Sequence, residues 1–325
     1  MKNEYDLLKV FAILLVVIGH ITILYGGGSF GYLPANRALM GITSAVYLFH
    51  MPLFVALSGA IFCLGCDHGK YKEFKPFLKN KVLRLIVPFI MTSIFFLAPA
   101  LVLLQMTSLS FFECIGNILL GGGLEKHLWY LPALFWIFMI VWVLWKCGLS
   151  PEMMLLLSVI IAVVCSLFLS FKLFFIWDAI QYLPYFTFGM LLNKYKYIDN
   201  KKMLFTGIGA SVILGVIIKA TDINWLDNIC RILLPCSIVM SLMAVTRMIT
   251  PFKENPLFSW ILKQSFSIYL FHIIAIFTFY RLLGGFVPTV IMVPLTFLVA
   301  IFFSYCVAWI CRKCGIQFII GEKKQ

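Results

Sequence analysis

The sequence is short of charge, and shorter still of negative charge. Only 12% of its 325 residues are charged, and 13 aspartates and glutamates stand against 26 lysines and arginines. A soluble domain has about a quarter of its residues charged, so this chain cannot cover a water-facing surface. Repeats of short period and low-complexity tracts are missing too, which excludes a solenoid or a tethering linker. The first apolar run has no small-residue cleavage site and carries Asp6 and Lys9, so it does not read as a signal peptide. Long polar stretches are absent at both ends, and activity is expected within the apolar part itself. What fills the chain is 62% hydrophobic residues, 16% of the total being aromatic. The expected fold is all-α, a polytopic membrane protein.

Windows of near 20 apolar residues, bounded by charges or turn residues, place ten spans. They cover approximately 7–25, 39–62, 82–104, 129–147, 153–170, 174–192, 203–219, 229–249, 264–283 and 288–310, with a short link at Phe171-Lys172. Alternating the connections puts 19 of the 26 basic residues on one side and 6 on the other, with Lys9 inside the first span. The positive-inside rule then sets both termini in the cytoplasm. The net charge of +13 is thus a collar facing anionic lipid rather than a nucleic-acid surface. Prolines within spans (Pro52, Pro88, Pro99, Pro184, Pro235, Pro294) mark kinks.

The first span holds three groups foreign to lipid: Asp6, Lys9 and His20. Lys9 and His20 are eleven residues apart, close to three helical turns, so they leave one face roughly 16 Å apart along the axis. Ionisable groups within a span usually face a bundle interior or polar cavity and carry function. The competing reading has Lys9 snorkelling and His20 bonding a neighbouring carbonyl. In the second span, His50-Met-Pro-Leu-Phe precedes Ser58-Gly59, a small surface suited to close helix packing or a ligand. Lys81 and Arg84, at i and i+3, are expected to share a face at the cytoplasmic mouth, where paired cations suit a phosphorylated ligand or plain anchoring. Before the fourth span, Gly121-Gly-Gly-Leu-Glu125 leads into His127, Trp129 and Tyr130, aromatic and polar groups able to hold a sugar ring. The ninth span carries Tyr269 and, one turn on, His272; a Tyr–His hydrogen bond competes with a site role. Two cysteine pairs, Cys63/Cys66 and Cys311/Cys314, lie too far apart in sequence to read as a zinc knuckle, and no metal site is expected.

Taken in order, these pieces resemble the acyltransferase-3 family of integral membrane O-acyltransferases. The matching parts are Asp6-Leu-Leu-Lys9 with His20, His50-Met-Pro-Leu-Phe with Ser58-Gly59, Arg84-Leu-Ile-Val-Pro88, His127-Leu-Trp-Tyr-Leu, Pro184-Tyr-Phe-Thr-Phe-Gly189-Met and Tyr269-Leu-Phe-His272. The resemblance implies one transmembrane acyltransferase domain over residues 1–325 in a bacterial cytoplasmic membrane. It implies acetylation of a cell-envelope polysaccharide or lipid-linked saccharide, with acetyl-CoA as donor substrate and no permanently bound cofactor. It makes His20 the catalytic group, with Lys9 as its basic partner. It links an Arg-x-x-Arg pair to acyl-CoA; here the first position is Lys81, which keeps the charge but loses bidentate phosphate geometry. Ser58 joins that donor site. Asp6, His50, His127, Trp129, Tyr130, Tyr269 and His272 become lining or acceptor groups. Two other classes compete: a transporter or flippase for a glycan or lipid-linked intermediate, and a non-catalytic relative acting in assembly.

Overall fold

The computed structural model describes residues 2–26, 33–121, 126–169, 174–196, 198–250 and 255–322, with only the backbone described at Lys2, Asn3 and Lys126. The expected Gly122–Glu125 segment and the Phe171-Lys172 link lie outside the described residues, as do the basic residues Lys253, Lys323 and Lys324. The described regular structure is helical: α1 (Lys2–Thr22), α2 (Arg37–Asp67), α3 (Phe74–Leu103), α4 (Phe111–Leu120), α5 (Tyr130–Lys146), α6 (Pro151–Phe168), α7 (Ile176–Lys194), α8 (Asn200–Ala220), α9 (Asn224–Ile249), α10 (Pro256–Leu283) and α11 (Thr289–Lys313). Apolar runs in lipid must satisfy their own backbone, and a helix does so within one segment. Several starts are written in the sequence. Ser150, Asp199 and Asn255 accept hydrogen bonds from the backbone N–H of Met153, Lys202 and Phe258, and Pro151 and Pro256 follow at the first helical position.

Eight of these helices are long and apolar enough to cross a membrane. Ten helices coincide in position with the ten expected spans, so two fall short of that test. Helix α5 has 17 residues, and α7 has 19 but carries Asp178, Gln181, Asn193 and Lys194. Helix α4 was not anticipated. It is closed at its start by Glu113, which accepts from the Ser110 N–H and hydroxyl at 2.9 and 2.6 Å, and at its end by left-handed Gly121.

Helix α3 departs from α geometry in two widened turns of i→i+5 type, Val82–Ile86 and Ser93–Leu97. Each is centred four residues before a proline. Pro88 and Pro99 cannot donate to the carbonyls of Arg84 and Phe95, and their rings crowd those oxygens. A wider turn moves the carbonyl aside without ending the helix.

The chain divides into two compact units. Unit 1 comprises residues 1–12, 48–79 and 133–254. Its core joins Tyr5, Leu8 and Ala12 of α1 to Leu53, Ala56 and Leu57 of α2 and to Leu192, Met203 and Met243. Helices α2 and α7 cross with backbones touching. A Cβ on Gly59 would stand 1.9 Å from the Phe186 carbonyl oxygen, and one on Gly189 equally close to that of Ala56. Small residues also close α8 on α9, where the hydroxyls of Ser211 and Ser237 lie 2.7 Å apart. The opposite side of α8 exposes Phe205, Val212, Ile213 and Val216, an apolar face suited to lipid.

The start of α1 is tied down by charge. Glu4 and Arg247 form a buried ion pair at 3.4 Å, with side chains 9% and 6% exposed, and Arg247 also donates to the Leu192 carbonyl at 3.1 Å. Tyr5 adds a bond of its own, its hydroxyl donating to Asn193 Oδ1 at 3.0 Å. Removing one charge strands the other, a cost of about 3–5 kcal/mol, whereas replacing both is often close to neutral. Arg247→Met is therefore expected to lower the melting temperature in detergent sharply, and Glu4→Gln combined with Arg247→Met to recover most of it. Equal melting temperatures for the single and double variants would refute this.

Unit 2 comprises residues 13–47, 80–132 and 255–325. It is built on the α10–α11 hairpin and α3, with a short 3₁₀ turn at Gln317–Ile320 laid against α3. Arg312 holds Glu322 through two hydrogen bonds of 2.8 and 2.7 Å and reaches Gln264 at 3.1 Å. Gly321, left-handed at φ 65°, sits where a Cβ would press on Phe266, Pro88 and the Arg84 carbonyl, all within 3.3 Å.

Candidate active site

Three imidazoles converge inside unit 2. His20 comes from the last turn of α1, His272 from the middle of α10, and His127 from a 3₁₀ turn (Lys126–Leu128) ahead of α5. Ring centroids are 5.0 Å apart for His20–His272, 5.8 Å for His127–His272 and 6.4 Å for His20–His127, all edge-on. His272 is fully buried and His20 half-buried. The His127 turn is pinned from α10, the Tyr269 hydroxyl donating to the His127 carbonyl at 3.1 Å. Tyr47 of α2 approaches the His20 ring at 6.2 Å. Gly19 permits that approach, since a Cβ there would lie 3.1 Å from both Tyr47 and Val46.

The hydrogen bonds assign the tautomers. His272 Nδ1 faces the carbonyls of Ile268 and Tyr269 at 2.7 and 3.0 Å. A carbonyl only accepts, so Nδ1 carries the proton and Nε2 offers a lone pair. His20 Nδ1 lies 2.9 Å from the Val16 carbonyl and 3.2 Å from His272 Nε2. It therefore donates to both, and His20 Nε2 is left unprotonated. The result is an imidazole whose basic nitrogen is set by an acceptor behind it, as an acceptor orients the base in a hydrolytic triad. Such a group can take a proton from an alcohol at Nε2 and spread the resulting charge onto two acceptors.

His127 differs from its neighbours. Both of its ring nitrogens are buried, and neither makes a well-formed hydrogen bond among the described residues, although the Leu270 carbonyl lies close enough to act on the ring. Burial first, then the adjoining rings of His272 and His20, hold its imidazole well below the ordinary histidine value against a smaller upward pull from the Leu270 carbonyl, so it is neutral.

The remaining expected residues divide between the units. Lys81, Arg84, Trp129, Tyr130 and Tyr269 share unit 2 with the cluster; Asp6, Lys9, His50 and Ser58 belong to unit 1. Helix α1 is unbroken from Lys2 to Thr22, so Lys9 and His20 stay on one helix. Tyr130 packs edge-on against Tyr269 at 5.7 Å and Trp129 against Tyr130 at 6.4 Å. The Tyr269–His272 side-chain bond that competed with a site role does not form, because Tyr269 spends its proton on His127 and His272 spends its own on backbone. Lys81 and Arg84 do not make a matched pair of exposed cations. Lys81 is 8% exposed and Arg84 is open to the surroundings. The widened turn beginning at Val82 rotates Arg84 away from the direction that α-helical i,i+3 spacing implies. Ser58 donates to the Phe54 carbonyl at 3.0 Å, and Gly59 serves helix packing. His50 is buried within α2. Sequence reading passed over Tyr47, which lies one turn before His50 on the same helix and outside the quoted motif.

In comparison with known families, the acyltransferase-3 profile, described as an acyltransferase domain, aligns with residues 2–313. No curated protein and no solved structure matches the chain. A profile that spans all the helices described above settles the assignment: the chain belongs to the acyltransferase-3 family of membrane acyltransferases.

Proposed function

We propose that this acyltransferase moves an acyl group, most simply acetyl, from cytoplasmic acyl-CoA to a hydroxyl of a cell-surface or lipid-linked glycan in a bacterial cytoplasmic membrane. The observation that carries the reading is the tautomer of His20, whose free Nε2 is the atom a general base requires. His20 Nε2 takes the proton from the acceptor hydroxyl as its oxygen attacks the thioester carbonyl carbon. The tetrahedral oxyanion collapses, the carbon–sulfur bond breaks, and the departing thiolate takes the proton from His20 to leave CoA thiol and the ester. His272 accepts from His20 Nδ1 throughout, which holds the ring and supports the imidazolium. Arg84, exposed at the proline-widened turn of α3, meets the phosphates of the donor, with Lys81 as a buried positive charge nearby in sequence. For Lys9 we keep the donor-orienting role that the family pattern implies. The interleaved rings of Trp129, Tyr130 and Tyr269 are suited to a sugar face.

Purified protein in detergent is expected to release free CoA thiol from acetyl-CoA when supplied with envelope glycan, and mass analysis of the glycan to gain one acetyl group per thiol released. Transport of glycan across proteoliposomes without thiol release would instead establish the flippase reading.

A further inference from the structure

We infer that His127 is a second catalytic residue: one of its ring nitrogens donates a hydrogen bond to the thioester carbonyl oxygen and stabilises the oxyanion formed there. This rests on the acyl-transfer reading above. The starting observation is the buried pair of ring nitrogens with no well-formed hydrogen bond among the described residues, the Leu270 carbonyl being a poorly aligned neighbour. Leaving a buried polar atom unmatched is costly, and native structures keep such atoms where a ligand completes them. A neutral imidazole always has one N–H and one lone pair. The N–H groups of the other two imidazoles and the Tyr269 hydroxyl are already committed: Nδ1–H of His20 to Val16 and His272, Nδ1–H of His272 to Ile268 and Tyr269, and the Tyr269 hydroxyl to the His127 carbonyl. Of the three imidazoles, His127 thus holds the N–H without a well-formed hydrogen bond, the nearby acceptor being the Leu270 carbonyl, which a better-placed ligand oxygen can replace.

The position suits the task. The base must reach the attacking oxygen and the donor the carbonyl oxygen, two atoms on one carbon. Rings set edge-on with centroids 6.4 Å apart can address both from different sides. The donor is also preorganised, because the Tyr269 bond fixes the backbone of the turn that carries it. A donor fixed before reaction stabilises developing charge without rearrangement. Its neutrality matters as well: when His20 becomes an imidazolium, a neutral neighbour does not repel it, as the neutral histidine electrophile of triosephosphate isomerase illustrates.

The test compares His127→Leu, which removes the donor, with His127→Gln, which keeps an N–H; His127→Ala replaces the leucine variant if that one does not fold. Removing one oxyanion donor costs about 100- to 1,000-fold in kcat. The leucine variant is expected to lose that much with the KM for acetyl-CoA changed less than about threefold, and glutamine to restore roughly a tenth of wild-type kcat. Infrared difference spectra with acetyl-CoA labelled at the carbonyl carbon give a readout that packing damage does not mimic. On inactive His20→Ala protein the bound carbonyl band should shift to lower frequency than in buffer, and the shift should vanish in the His20→Ala, His127→Leu double variant. A leucine variant with near wild-type kcat, or the same carbonyl band in both backgrounds, overturns the role of His127. Wild-type protein that releases no thiol from acetyl-CoA rejects the acyl-transfer reading itself.

Discussion

His20→Ala protein is expected to fold and to reach the membrane, yet to transfer acyl groups about 1,000-fold more slowly than wild type, or not measurably. General base catalysis contributes about 100- to 10,000-fold, and here the same ring also returns its proton to the leaving thiolate. One ring therefore serves both halves of the reaction. The side chain is half-buried and bonds mainly to its own helix through Val16, so truncation leaves the packing of α1 nearly intact. His272→Phe separates base from support. It keeps an aromatic ring and removes the acceptor behind His20 Nδ1, and an intermediate loss of about 10- to 100-fold is expected, since the base survives with its tautomer less firmly held. Thiol release and glycan acetylation should fall together in both variants. A His20→Ala protein working at wild-type rate would end the proposal.

The second large effect concerns folding. Gly189→Val is expected to abolish the folded protein, read as loss of the monodisperse peak and of a thermal transition in detergent, and Gly59→Val to do the same. Overpacking a core usually costs about 1–3 kcal/mol because side chains can yield. Here the obstacles are the carbonyl oxygens of Ala56 and Phe186, 1.9 Å from the added Cβ. A main chain within a helix cannot step aside without parting α2 from α7. The control is Gly209→Ala in α8, where an added Cβ meets nothing within 4 Å. That change should be neutral or stabilise by up to about 1 kcal/mol, the helix-propensity difference between the two residues. A Gly189→Val protein as stable as the Gly209→Ala control would show that the two backbones are not in contact.

Helix positions were legible because an apolar run that enters lipid has only one common way to satisfy its backbone. Ten helices accordingly fall where hydropathy places spans. Shortness hid α4 from the same reading, and α5 and α7 show that location and spanning capacity are separate questions. Local spacing was a poorer guide wherever a proline intervened. Lys81 and Arg84 look like neighbours on an ideal helix, but Pro88 forces a wider turn that puts one inside and the other outside. The imidazole cluster was legible only as a set of separate residues. Positions 20, 127 and 272 are distant along the chain, and nothing in their spacing states that the three rings meet. The same holds for Tyr269, whose hydroxyl chooses a carbonyl 142 residues away over the histidine one turn along.

The Arg312–Glu322 clasp carries a practical message for anyone handling this enzyme. It seats Gly321 on the very carbonyl that Pro88 sets loose, at the turn bearing Arg84. Any insertion between Arg312 and Glu322 would therefore also disturb the turn that presents Arg84, and weak turnover in such a variant speaks of that seat and not of the substrate.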